Sequence, residues 1–148
     1  MNRRPAYLFV VAGLLLLLLL VPLTAWLATW VWPPAYVAFA KENRLAAVWL
    51  SQLLLHFLPV SLVSLVFGAI VFGGLKEASG RAVAWISASA LLPLCLLQLV
   101  LMRMHGSGWV AFADLIANPI YGFSLLPAPL GLWLAARWSR RRLAPVMA

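Results

Sequence analysis

The sequence predicts an all-α integral membrane protein: four transmembrane helices joined by short loops, with both termini in the cytoplasm. Three observations predict it. The 148-residue chain is 66% hydrophobic and only 9% charged, with a mean hydropathy of +1.02. A water-facing domain carries roughly 25% charged residues. Four apolar stretches, Pro5 to Trp32, Leu45 to Leu75, Ala82 to Met102 and Leu115 to Ala136, each hold the ~20 residues that a helix needs to cross about 30 Å of hydrocarbon. Finally, Arg3, Arg4, Lys76, Arg81, Arg137, Arg140, Arg141 and Arg142 fall on one side of a four-span arrangement, against Lys41, Arg44 and Arg103 on the other. That bias sets the first group in the cytoplasm. Taken together these features place the chain in a bacterial inner membrane, as a single domain over residues 1–148.

The first stretch follows Arg3-Arg4 and contains no acid from Tyr7 to Trp32. It is far longer than the 7–15 apolar residues of a signal peptide, and no small-x-small site ends it, so an uncleaved anchor is expected. Pro33-Pro34 stops the helix and opens an outer connection to Arg44. The second stretch, Leu45 to Leu75, would reach about 46 Å as a straight helix. It therefore tilts, projects, or kinks at Pro59. Lys76 to Arg81 is a tight inner turn, which predicts that the second and third stretches form an antiparallel hairpin. His105-Gly106-Ser107-Gly108 marks the outer turn before the fourth stretch. That last stretch is interrupted by Asn118-Pro119, Gly122, Pro127, Pro129 and Gly131. Trp30, Trp32, Trp49 and Trp109 lie near the outer ends and Trp85, Trp133 and Trp138 near the inner ones, as amphipathic rings do at a membrane interface.

Small residues form two candidate packing stripes. Ser61, Ser64 and Gly68 share one face of the second stretch, and Ser64-x-x-x-Gly68 has the spacing that lets helix backbones approach. Ala84, Ala88, Leu91, Cys95, Gln98 and Met102 share one face of the third.

The apolar stretches contain few polar groups. Gln52 and His56 lie one turn apart in the second stretch, and Gln98 lies in the third. In a hairpin Gln98 would sit opposite Pro59, where it could donate to the carbonyl of Leu55 that Pro59 leaves without a partner. The three are expected to clamp helices together; the alternative is a proton or substrate site centred on His56. Lys41, Glu42, Arg44, Arg103 and Asp114 supply the polar surface of the outer connections. Arg137, Arg140, Arg141 and Arg142 form a basic inner flank suited to anionic head groups.

Several chemistries are excluded. A haem between helices needs two axial ligands, and His56 has no second histidine at its depth. No cluster of His, Cys, Asp and Glu suggests a metal. No carboxylate accompanies the serines, and the lone Cys95 cannot form a disulfide within the chain. No cofactor and no enzymatic activity are expected. The charge of +8 is spread over membrane flanks, which argues against nucleic acid. In size and span number the chain resembles the small four-span multidrug exchangers, but the membrane-embedded glutamate of their first span has no counterpart. The expectation is a non-enzymatic protein that binds a membrane partner, as an accessory subunit of a complex or an immunity-type protein against a membrane-acting toxin. The alternative is a small homo-oligomeric transporter or channel using Gln52, His56 and Gln98.

Overall fold

The structure is a computed structural model that describes residues 5–104 and 123–143, without the side chains of 97, 98, 101–103 and 143. All regular structure among the described residues is helical: α1 (Ala6–Ala28), α2 (Pro34–Glu42), α3 (Arg44–Gln52), a π-helical turn (Leu53–Phe57), α4 (Leu58–Leu75), α5 (Gly80–Met104) and α6 (Pro127–Leu143). Two helices are long and apolar enough to cross a bilayer, Ala6–Ala28 and the continuous run Arg44–Leu75, of 23 and 32 residues. The expected third stretch falls within α5, which contributes a shorter apolar run, Gly80–Leu96. Of the expected fourth stretch, residues 115–122 lie outside the described residues. The remainder is a helical stretch from 123 to 125, a bend at Leu126, and the first part of α6.

Pro33-Pro34 ends one helix and starts another. The Thr29 hydroxyl donates to the Trp26 carbonyl as α1 closes. Pro34 occupies the first turn of α2, where a fixed φ is pre-set for a helix and a missing N–H costs nothing. The outer connection expected to be a loop is therefore largely helical. Tyr36 donates its hydroxyl to the Ala47 carbonyl at 2.6 Å, which ties α2 back onto α3.

The break expected at Pro59 takes the form of a wider turn just before it. Pro59 has no N–H to give the Leu55 carbonyl, and its ring crowds that turn. The ladder responds by slipping one residue, so that the Leu58 N–H donates to the Leu53 carbonyl five residues back. α4 ends on Lys76 in the left-handed conformation, φ 51°. Ser79 then caps α5, its hydroxyl oxygen accepting from the Ala82 N–H at 3.1 Å.

The helices form a ring in the order α1, α5, α6, α4, with α1–α5 and α4–α6 as its principal packed pairs. The predicted hairpin is corrected here. α4 and α5, although joined by the tight turn, lie across the ring from one another and are not a packed pair. Small residues decide the pairing. α4 buries Val60, Ser64, Gly68 and Phe72, one row at every fourth position. α6 buries Ala128, Gly131, Leu132, Ala135 and Ala136, and Gly131, Leu132 and Ala135 lie against α4. At Gly131 a Cβ would overlap the Ser61 carbonyl oxygen and lie 2.9 Å from the Ser64 Cβ. One turn further along each helix, a Cβ on Gly68 would lie 2.8 Å from the Ala135 Cβ. These two contacts advance together, so α4 and α6 run parallel.

The α1–α5 pair has a similar seam, where Gly13 backs onto Ile86 and Ser89. α5 accordingly buries Ala82, Ile86 and Ala90. The stripe predicted for this helix is displaced: Ala84 and Ala88 are exposed, and Leu91 and Cys95 only half-buried. The face was chosen by α1, not by the neighbour in sequence. Phe9, Leu16, Phe72, Ile86 and Leu132 fill the interior, while Leu14, Leu18, Leu62, Val66, Ile70 and Leu92 leave the exterior equally apolar.

Replacing Gly131 by alanine should destabilise the purified protein by about 1–3 kcal/mol, the usual cost of overpacking. Gly73, where an added Cβ meets nothing within 4 Å, should accept alanine with no loss. Thermal unfolding of the two variants in one detergent checks the contrast.

Candidate functional site

The π-helical turn carries a feature that ties the start of α4 to the segment before α6. It directs His56 across to the segment preceding α6, where the ring Nε2–H donates to the Ser124 carbonyl at 3.0 Å. A carbonyl oxygen only accepts, so the proton of this bond belongs to Nε2, and in the neutral ring Nδ1 keeps its lone pair. Aromatic rings reinforce the joint. Phe123 stacks on Phe57 at 4.6 Å between centroids and takes the edge of Trp49 at 5.4 Å. Pro127 and Pro129 follow in the chain, and neither offers an N–H to the carbonyls of the preceding turn.

Beside this joint lies a partly open cleft of about 290 Å³. Thr24 and Leu27 of α1, together with Trp32, form one wall, and Ser51, Gln52, Leu55 and His56 form the other. Trp32 is held by stacking on Tyr36, 3.9 Å between centroids and 18° from parallel. The polar groups of the cleft have mostly spent their donors. The Thr24 hydroxyl donates to the Leu20 carbonyl at 2.9 Å, and the Ser51 hydroxyl to the Val48 carbonyl at 2.8 Å. Gln52, half-buried, makes no hydrogen bond with the described residues.

Of the predicted polar cluster, the structure thus brings Gln52 and His56 to one cleft. The side chain of Gln98 lies outside the described residues. The partner of His56 is a backbone carbonyl near α6 rather than a group on the following helix, because α5 stands across the ring from α4. Ser124 was missed by sequence reasoning. Pro127 and Pro129 are no signal for it, because in a helical ladder they take donors from the carbonyls of Phe123 and Leu125.

The predicted outer recognition group is only partly described. Lys41 and Glu42 close α2 and Arg44 opens α3, all three exposed, while the Arg103 side chain and Asp114 lie outside the described residues. On the basic flank, the Arg137 guanidinium lies over the Trp133 ring at 5.6 Å and that of Arg142 over Trp138 at 3.8 Å. Arg140 donates to the Ala136 carbonyl at 3.4 Å, and Arg141 is exposed. Each Trp–Arg pair spans one helical turn, which leaves the charges at the end of α6. Among the described residues no group of three His, Cys, Asp or Glu side chains could hold a metal. Cys95 is free and half-buried.

Comparison with protein-family models, with curated proteins and with solved structures gives no match to this chain.

Replacing His56 by leucine should remove the tie to Ser124 and cost about 0.5–1.5 kcal/mol. Glutamine, which retains a donor, should recover much of that loss. Denaturation midpoints of the two variants against the parent protein give the comparison.

Proposed function

We propose that the chain is a multi-pass protein of a bacterial inner membrane, crossing it four times with both termini cytoplasmic, and that it works by binding a protein partner there rather than by catalysis. Support for the solvent comes from burial. The apolar windows of Ala6–Ala28 and Arg44–Leu75 are only 28% and 17% buried, whereas a core helix of a water-soluble protein is mostly buried. A helix that is apolar all round and uncovered matches lipid.

Support for the orientation comes from the parallel α4–α6 pair. It carries Lys76 and the Arg140–Arg142 cluster to one end of the ring, where Arg81 also stands. The opposite end holds Trp30, Trp32 and Trp49 with Lys41 and Arg44. The larger basic group faces the cytoplasm under the positive-inside bias.

The observation that carries the partner reading is the α2–α3 corner. It is pinned by the Tyr36–Ala47 hydrogen bond and the Trp32–Tyr36 stack, yet Val37 and Phe39 of α2, outside the two long apolar helices, are exposed. Ordering such a surface without covering it gains little for the monomer. Clusters of exposed apolar residues rimmed by charge mark interaction sites, and Lys41, Glu42 and Arg44 supply that rim. An accessory subunit of a membrane complex and an immunity-type protein facing a membrane-acting toxin are the two forms of this reading.

A second reading is favoured by the cleft. A homo-oligomeric transporter or channel would use Gln52 and His56 as its polar site, and flux into proteoliposomes would then fall with His56→Ala.

A photoreactive amino acid placed at Phe39 and irradiated in native membranes tests the partner reading. It should trap one protein species of defined mass. Adducts to lipid alone would contradict it.

A further inference from the structure

We infer that the cleft between the end of α1 and the π-helical turn binds the head of an uncharged amphiphile that donates hydrogen bonds, such as a hydroxyl on a single ring. The inference goes beyond partner binding, needs no flux, and stands or falls independently of both.

The inventory of free valences points to a donating ligand. Thr24 and Ser51 have committed their protons to backbone carbonyls, so toward the cleft their oxygens can only accept. His56 has committed Nε2–H to Ser124, which leaves Nδ1 of the neutral ring as an acceptor. Gln52 and the Trp32 indole N–H bring donors, and Gln52 brings an acceptor too. A ligand that only accepts would be met by two side chains; a ligand that donates can be met by any of four. Unmet polar groups in an apolar surround are costly, so the hydroxyl-bearing ligand is preferred.

Charge is excluded by what is missing from the walls. Among the described residues no Lys, Arg, Asp or Glu lines the cleft, so an anion would find no cation and an ammonium no carboxylate there. Burying an unpaired charge there is far more costly than burying a hydroxyl.

Size and shape supply the rest. A cleft of about 290 Å³ lies at the small end of ligand sites, which run from about 300 to 1,000 Å³. It suits one ring, with Trp32 as a flat wall and Leu27 and Leu55 as apolar contacts. Leu53 and Leu54, between the lining residues Gln52 and Leu55 in sequence, are exposed and offer an apolar surface for a hydrocarbon tail.

The test uses the full chain in lipid nanodiscs with two probes: 4-hexylphenol bearing a diazirine on its tail, and the methyl ether of the same compound. The ether, lacking the hydroxyl, partitions more strongly into lipid, so labelling is normalised to the amount of each probe recovered in the nanodisc; at equal amounts the two differ in the donated proton. On photolysis the phenol should label residues 24–32 and 51–56, at least about tenfold more than the ether, the factor expected from one well-made hydrogen bond of about 1.4 kcal/mol. Gln52→Leu should reduce labelling by the phenol at the same peptides. Equal labelling by phenol and ether would overturn the inference, as would phenol adducts spread along Leu14 and Leu18 with none at the cleft. The comparison of probes is made on the parent protein, so it decides the matter even if the variant does not fold.

Discussion

Helices α4 and α6 lie side by side because no side chain stands between their backbones at Gly131, where the Ser61 carbonyl and the Ser64 Cβ fill the space a Cβ would take. Much of the molecule follows from that approach. It makes α4 and α6 parallel neighbours and sends α5 to the opposite corner of the ring, against Gly13 of α1. It also aligns the two helices in register. From the Gly131 contact back toward the other end, His56 comes level with Ser124 and Phe57 with Phe123. The joint beside the cleft is thus the continuation of a glycine contact two turns away. Without a hydrophobic drive between helices in lipid, dispersion at such close seams is what holds a bundle together.

The helical regions were legible from apolar length alone, since unpaired backbone groups in lipid leave no other single-segment structure. The stretch from Pro5 to Trp32 is helical over Ala6–Ala28, and Ser64 with Gly68 is the small-residue seam its spacing suggested. Pairing was not legible. A short turn between α4 and α5 suggests neighbours, but adjacency in sequence constrains only the ends of two helices, and the seams at Gly13 and Gly131 outweigh it. The displaced stripe on α5 has the same cause: its buried face turns toward α1, and Ala84 and Ala88 point away. α2 was hidden because Pro33-Pro34 reads as a stop, while Pro34 at a first turn is also a start. The π-helical turn was half legible. Pro59 announces a break, but whether the ladder bends or slips depends on packing that a local pattern does not contain.

The same division holds at the cleft. Gln52 and His56 were conspicuous as polar groups in an apolar helix, and both line it. Thr24 and Trp32 were not, because they come from the end of α1 and the link after it and reach the site only through the fold. Ser124 contributes a carbonyl, a group every residue has, so no side-chain pattern could single it out. What distinguishes it is its place opposite His56, which only the packing of α6 on α4 supplies. Among the described residues polarity is concentrated in the cleft, the α2–α3 corner, the turn from Lys76 to Arg81 and the arginine-rich end of α6.

Cysteine cross-linking in native membranes, with Cys95 replaced by alanine, tests the ring order most directly. Cysteines at positions 57 and 123, whose native rings stack at 4.6 Å, should be joined in high yield by a short bifunctional reagent. Cysteines at positions 64 and 90, on α4 and α5, should not. Efficient joining of 64 to 90 with none between 57 and 123 would mean that α4 packs on its sequence neighbour, and would contradict the arrangement described.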